Sequence, residues 1–476
     1  MHWHARCHVS TKGRWRFDAA GFEIVDGIES AAVPHATYAA NFHEASVSHE
    51  PRDIRQVDAA EYEGSRVDVV IGGPPCQPFA RIGRAKLRAI AGERLAHLSD
   101  PRVSYYTHFF RFVEKLRPAA FVMENVRDIA RFGGRNIAEE IAATGTALGY
   151  EVRYAILNAA WFGVPQMRER LFLIGLDGHL QQAPQFPSLT HAVDLPVGYA
   201  TSRHGRDDSV PVLEPHDYYT EDFECVLNPA SVITAEQALG DLPTITEHLR
   251  HMKSRAGARR FLTEIAYTRR PRNGYQRLMR SWPGLEKAPP PADHVIRYTP
   301  RDYTIFRNMK PGDQYPEAHR IAERRFARRL ADEERRCGKR LRSHGKRYQE
   351  LRQLCVPPYD PSKFPNKWRK MEADAPSRTI TAHLGKDTYS HIHYDSGQAR
   401  TISVREAARL QSFPDGFRFC GAMNDGFKQI GNSVPPLMAY AIASALRTQL
   451  KAAGVITEKR RRSGRTDSLR LFVRVA

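Results

Sequence analysis

The sequence predicts an α/β fold, a doubly wound and mostly parallel sheet with a second, smaller domain. Three observations carry this. From about residue 20 to 178, short β-branched runs alternate with stretches of helical periodicity, which is the rhythm of strand–helix–strand units. From roughly 180 to 375 that rhythm breaks, and Pro, His and charged residues rise. It recovers at 403–410 and again at 436–446, an amphipathic helix. The chain is thus expected to divide into 1–180, 181–375, 376–450 and a basic tail at 451–476, and its 476 residues suffice for two or three domains.

Within the first segment, 67–71 (Val-Asp-Val-Val-Ile) is a short apolar strand closed by Gly-Gly-Pro-Pro. Residues 104–116 form a helix with Tyr106, Phe109, Phe110, Val113 and Leu116 on one face. A buried strand follows at 119–123, a helix at 137–148, and two further strands at 152–157 and 171–176. Parallel sheets of this kind bind ligands beyond the carboxyl ends of their strands. In the second segment, 286–291 (Glu-Lys-Ala-Pro-Pro-Pro) reads as a linker. The basic stretch 319–353, with Arg324, Arg325, Arg328, Arg329, Arg335 and Arg336, reads as helical: either a solvated face or a phosphate-tracking one. The tail 459–465 (Lys-Arg-Arg-Arg-Ser-Gly-Arg) is expected to be mobile and to touch nucleic acid non-specifically.

Charge narrows the class of partner. Lys and Arg number 72 against 53 Asp and Glu, a net charge of +19, and such an excess favours a polyanion, nucleic acid above all. No run approaches the roughly 20 apolar residues of a spanning helix, so no membrane association is expected. The N-terminus lacks the apolar core of a secretory signal. The six cysteines form no Cys-x-x-Cys pair, which indicates neither a metal site nor a disulfide framework and fits a reducing cytoplasm.

Cys76 follows directly on the strand 67–71, behind two prolines that restrict the backbone. Glu124 follows the strand 119–123, and Arg168 and Arg170 stand just before the strand 171–176. Each residue alone has an ordinary structural explanation. A thiol, a carboxyl and two guanidiniums converging on one rim of a sheet is instead the arrangement of a reactive site.

At these residues the chain resembles the DNA cytosine carbon-5 methyltransferases. Pro75-Cys76-Gln77, Glu124-Asn125-Val126 and Gln166-x-Arg168-x-Arg170 stand in that family's order. So do Arg378-Thr379-Ile380-Thr381, the run 405–414 and Gln429-Ile430-Gly431-Asn432-Ser433-Val434-Pro435. The resemblance covers roughly 17–178 and 364–450. It implies a Rossmann-like, S-adenosylmethionine-dependent fold with a target-recognition domain over 181–375. Cys76 would be the nucleophile, Glu124 the acid, and Arg168 and Arg170 would lie near the base. Glu29, Asp53, Pro75, Asn432 and Ser433 would meet the donor. It further implies double-stranded DNA as substrate, base flipping, no metal, a monomer, and a cognate restriction endonuclease as a partner. The segment 78–103 is the expected closing loop.

One departure stands out. The family opens with a strand and a Phe-x-Gly-x-Gly-Gly turn, whereas residues 1–16 read MHWHARCHVSTKGRWR, with Gly13 flanked by Lys12, Arg14 and Trp15. The abrupt change at Phe17 suggests a different reading frame or start. Side chains of that bulk keep a backbone from approaching a ligand as glycine does. A DNA-binding remnant with impaired donor binding is therefore the alternative to an active enzyme, and a related enzyme acting on RNA is a third reading.

Overall fold

The computed structural model describes residues 19–41, 50–74, 105–132, 135–194, 217–250, 263–283, 285, 290–386, 389–456 and 469–474. The chain forms two units, one of residues 1–232 and 432–476, the other of 233–431. Residues 181–194 and 217–232 thus belong to the first unit, and 376–386 and 389–431 to the second, where the sequence division expected the reverse.

The first unit is built on β1 (Phe22–Ile28), α1 (Ala32–Asn41), β2 (Val69–Gly72), α2 (Tyr105–Leu116), β3 (Ala120–Asn125), α3 (Ile137–Ala147), β4 (Tyr150–Asn158), β5 (Glu169–Asp177), α4 (Pro436–Ala452) and β6 (Leu469–Arg474). The six strands lie in the order β1-β6-β2-β3-β5-β4. Every pair from β1 through β3 is parallel, while β5 is antiparallel to both β3 and β4. Five strands therefore point one way and β5 alone points back.

Strand periodicity explains the two cores. Val69, Ile71, Ala120 and Val122 face one side with Phe22 and Ile24, where Met438, Ile442 and Leu446 of α4 cover them. Val70, Phe121 and Met123 face the other, against Phe109, Phe110 and Val113 of α2 and Ile137 and Ile141 of α3. Successive residues buried on opposite faces give the near-continuous apolar runs of a doubly covered sheet. Asn136 starts α3 by accepting the backbone N–H groups of Ala138 and Glu139 at 3.1 and 3.4 Å. On the α2–α3 side Phe121 meets Phe109, Phe110 and Tyr150 edge-on. Gly175 of β5 lies under that ring, where a Cβ would come within 2.1 Å of it.

In the second unit, Phe306, Tyr315, Trp368 and Ile392 lie in one core. The basic stretch expected as one helix over 319–353 is two, Tyr315–Cys337 and Lys346–Gln353. The first stops at Gly338, whose φ of 68° makes a left-handed cap. The motif run 405–414 is buried and held by charge. Arg409 bridges Asp241 and Asp415 at 2.8 and 2.5 Å, and Arg400 holds Glu406 at 2.7 Å. Burial opposes ionisation of Glu406, yet Arg400 beside it keeps the carboxyl well below the ordinary range. Arg405 donates to the carbonyls of Ala292, Pro414 and Phe417 at 2.7 to 3.1 Å. Gly431 approaches the 378–381 segment so closely that a Cβ would sit 2.2 Å from the Ala382 nitrogen.

Candidate active site

The reversal of β5 is what assembles the site. A strand's opening residues ordinarily lie at the amino edge of a parallel sheet. Because β5 runs backwards, its opening residues lie beside the end of β3, with Glu124 opposite Phe172 and Asn125 opposite Leu171. Arg170 Nε reaches Glu124 Oε1 at 3.0 Å. The Arg170 guanidinium also donates to the Glu169 carbonyl at 2.7 Å, and Glu169 accepts from Arg127 at 2.5 Å. Arg168 is fully buried. Its carbonyl accepts the Ala159 N–H at 2.8 Å, and its guanidinium donates to the Ser433 carbonyl at 2.9 Å.

Burial pushes the Glu124 carboxyl above its ordinary range, against the pull of Arg170 and Arg168. The carboxyl therefore sits in surroundings that favour its protonated form while two cations lie close by. Such a group donates a proton or a hydrogen bond at a pH where an exposed Glu would not.

Pro75 and Cys76, together with the loop 78–103, lie outside the described residues. The chain leading to them does not. Pro74 is buried, and its carbonyl accepts from Asn125 Nδ2 at 3.4 Å. The backbone two residues before Cys76 is thus tied to the residue after Glu124.

A second group gathers beyond β1. Glu29 is 2% exposed, and its carboxylate accepts the Ala31 N–H at 2.7 Å. The Glu29 carbonyl accepts the Arg52 N–H at 2.9 Å, which brings Asp53 beside it. Asp53 is partly open, and its hydrogen bonds to Arg55 hold its carboxyl below the usual range. Behind them, Tyr62 donates to Asp26 of β1 at 2.6 Å and accepts from Arg52 at 3.2 Å. Ser433 is buried and Asn432 half-buried at the entry to α4. Asp26 and Tyr62 carry no motif signal in the sequence, and only the fold links them to Arg52, whose N–H binds the Glu29 carbonyl.

The model of the C-5 cytosine-specific DNA methylase family matches residues 13–448. The chain belongs to this family. As a C-5 cytosine methylase it is 36% identical to a protein of Oceanobacillus iheyensis named as a type II methyltransferase, over 91% of this chain and 93% of that one. It is 30% identical to the type II methyltransferase M.AgeI of Thalassovita gelatinovora, over 91% and 96%. Among solved structures, an Escherichia coli protein described as a DNA modification methyltransferase encoded within a prophage shares the fold. That match has a TM-score of 0.57 and 19% identity, over 94% of this chain and 98% of that one. The mostly parallel α/β sheet expected from the alternating strands and helices is observed, and the methylase fold that the resemblance implied is the family's. Among the described residues, no helix is long and apolar enough to cross a membrane.

Proposed function

We propose that this methylase transfers a methyl group to carbon 5 of cytosine in a specific duplex DNA sequence, through covalent addition of Cys76 to carbon 6. The observation that carries the proposal is the Glu124–Arg170 pair, at the edge where Asn125 also ties down the chain leading to Cys76.

Carbon 5 of cytosine is a poor nucleophile. Addition of the Cys76 thiolate to carbon 6 moves the ring electrons toward carbon 5 and leaves negative charge on N3 and O2. Protonated Glu124 donates at N3, and the cations Arg168 and Arg170 offset charge on the O2 side. Carbon 5 then accepts the methyl group. Loss of the carbon-5 proton to solvent returns the electrons that expel the thiolate. The reacting atom lies inside a duplex, so the base has to be flipped out first.

S-adenosylmethionine supplies the electrophilic methyl group. Glu29 and Asp53, joined through the Arg52–Glu29 backbone bond, suit the ribose and adenine of this donor, with Asn432 and Ser433 completing the set that the family motif implies. The methionine half falls on residues outside those described. DNA recognition is assigned to 233–375 within the second unit and catalysis to the first unit, 1–232 and 432–476, in which Leu469–Arg474 is a strand of the sheet and not part of the basic tail expected over 451–476. A cytoplasmic, DNA-associated monomer with a cognate endonuclease completes this reading, by analogy with the type II relatives.

Duplexes carrying 5-fluorocytosine test the nucleophile, because fluorine cannot leave as a proton does. With donor present, the protein should form a denaturant-resistant adduct that Cys76→Ala abolishes and Cys225→Ala spares. An adduct persisting in Cys76→Ala refutes the assignment. Lys12, Arg14 and Trp15, in place of the glycine turn, favour a second reading, a DNA-binding remnant. Calorimetric titration with S-adenosylmethionine separates the two, since a remnant binds duplex DNA but gives no donor heat.

A further inference from the structure

We propose that the C-terminal segment Leu469–Arg474 is a positioning element of the donor site: an inserted strand whose two ladders hold β1, and with it Glu29, in register with the Cys76-bearing side of the sheet. The proposal rests on the assignment of Glu29 to the donor site.

Strand order carries the argument. β6 lies between β1 and β2 and pairs with both in parallel. On one side Phe22 is opposite Leu469, Ile24 opposite Leu471 and Ile28 opposite Arg474. On the other, Leu471, Phe472 and Val473 are opposite Val69, Val70 and Ile71. β1 is the edge strand, and among the described residues its only ladder is with β6. Take β6 away and β1 has no backbone link to the sheet. β2 would keep only its ladder with β3.

The two chemical groups follow these two strands. Glu29 comes one residue after β1, while β2 leads through Gly73 and Pro74 to Cys76. Their register is therefore set by the two ladders that meet on β6, while the cores that Phe22, Ile24 and Ile28 share with Val69 and Val70 add side-chain packing. Side-chain bonds around Glu29, such as Tyr62 with Asp26, fix it within its own cluster. The ladders fix that cluster relative to the nucleophile. A parallel strand with neighbours on both sides has its backbone groups bonded across the ladders, so one proline in β6 removes a ladder bond and clashes with a neighbour.

The test is run on the full chain with a site-specific protease sequence inserted at 460. After cleavage, the fragment carrying β6 should co-elute with the body on gel filtration. Removing it in mild denaturant should raise hydrogen exchange at the Phe22–Ile28 amides at least about 100-fold, leaving β4 and β5 unchanged. A synthetic peptide of residues 466–476 should restore protection. In the uncleaved chain, Leu471→Pro should open β1 and weaken S-adenosylmethionine binding at least tenfold, while Leu471→Val should do neither. Dissociation of the fragment on the first column with β1 still protected, or Leu471→Pro with β1 still protected, overturns the insertion. Donor binding unchanged while β1 is open overturns the positioning role. Neither result bears on the Cys76 adduct, which is read separately.

Discussion

Glu124 is held between opposed forces, and its pH behaviour follows from which one wins. Burial outweighs Arg170 and Arg168, so the folded carboxyl sits above its ordinary value of 4.5. Folding therefore favours the protonated form. The stability this contributes is complete below the unfolded carboxyl's value and is lost as pH rises through the folded one. Catalysis that needs protonated Glu124 should fall along the same limb, and pH–rate profiles of single-turnover methyl transfer check this. In Glu124→Gln the limb should vanish and the rate drop by about 10²–10⁴, with thermal stability kept. Full activity in that variant removes Glu124 from the chemistry. Glu124, Arg168 and Arg170 are legible in the sequence because each abuts an apolar strand run. The chain of bonds from Asp26 through Tyr62 to Arg52 is not, because it joins residues from separate segments, and Asp26 and Tyr62 have no pattern of their own.

At the scale of single elements, tolerance depends on how closely two elements approach. Gly175 lets β5 pass beneath Phe121, so Gly175→Ala should force the ring from its cluster and cost about 1–3 kcal/mol. Urea unfolding should show this as a lower midpoint with an unchanged slope. The helix Tyr315–Cys337 invites a different substitution. Arg325 donates to the Arg301 carbonyl at 2.6 Å, and Arg335 and Arg336 pair with Asp332 and Glu333. Arg324, Arg328 and Arg329 are exposed and have no such bond among the described residues. Neutralising these three should lower the salt slope of DNA binding by up to about 0.9 for each phosphate left without its cation. An unchanged slope makes the face a solvated one. The helix break at Gly338 is hidden in the sequence because a dense charge run conceals the apolar spacing that marks where one helix ends.

Over the whole molecule, the doubly covered sheet is readable because its core strands are short apolar runs, and the two helix-covered faces follow from period-two burial. β6 is not, because the neighbouring basic run 459–465 makes the C-terminus look like a solvated tail. The N-terminus supplies a whole-chain prediction. Replacing residues 1–16 by a strand and a Phe-x-Gly-x-Gly-Gly turn should tighten S-adenosylmethionine binding and leave DNA binding nearly equal. Side-by-side titrations decide it, and equal, tight donor binding by both forms would mean that residues 1–16 already serve. The place of β6 also has a consequence for synthesis. Phe22 pairs with Leu469, more than four hundred residues away, so a ribosome has to release the entire second unit before β1 gains its ladder. Until then the nascent chain carries β1 and one side of β2 as bare parallel edges, the surfaces most prone to wrong pairing. Closure of this long loop should come late, and refolding should end on a slow phase that a peptide of residues 466–476 accelerates.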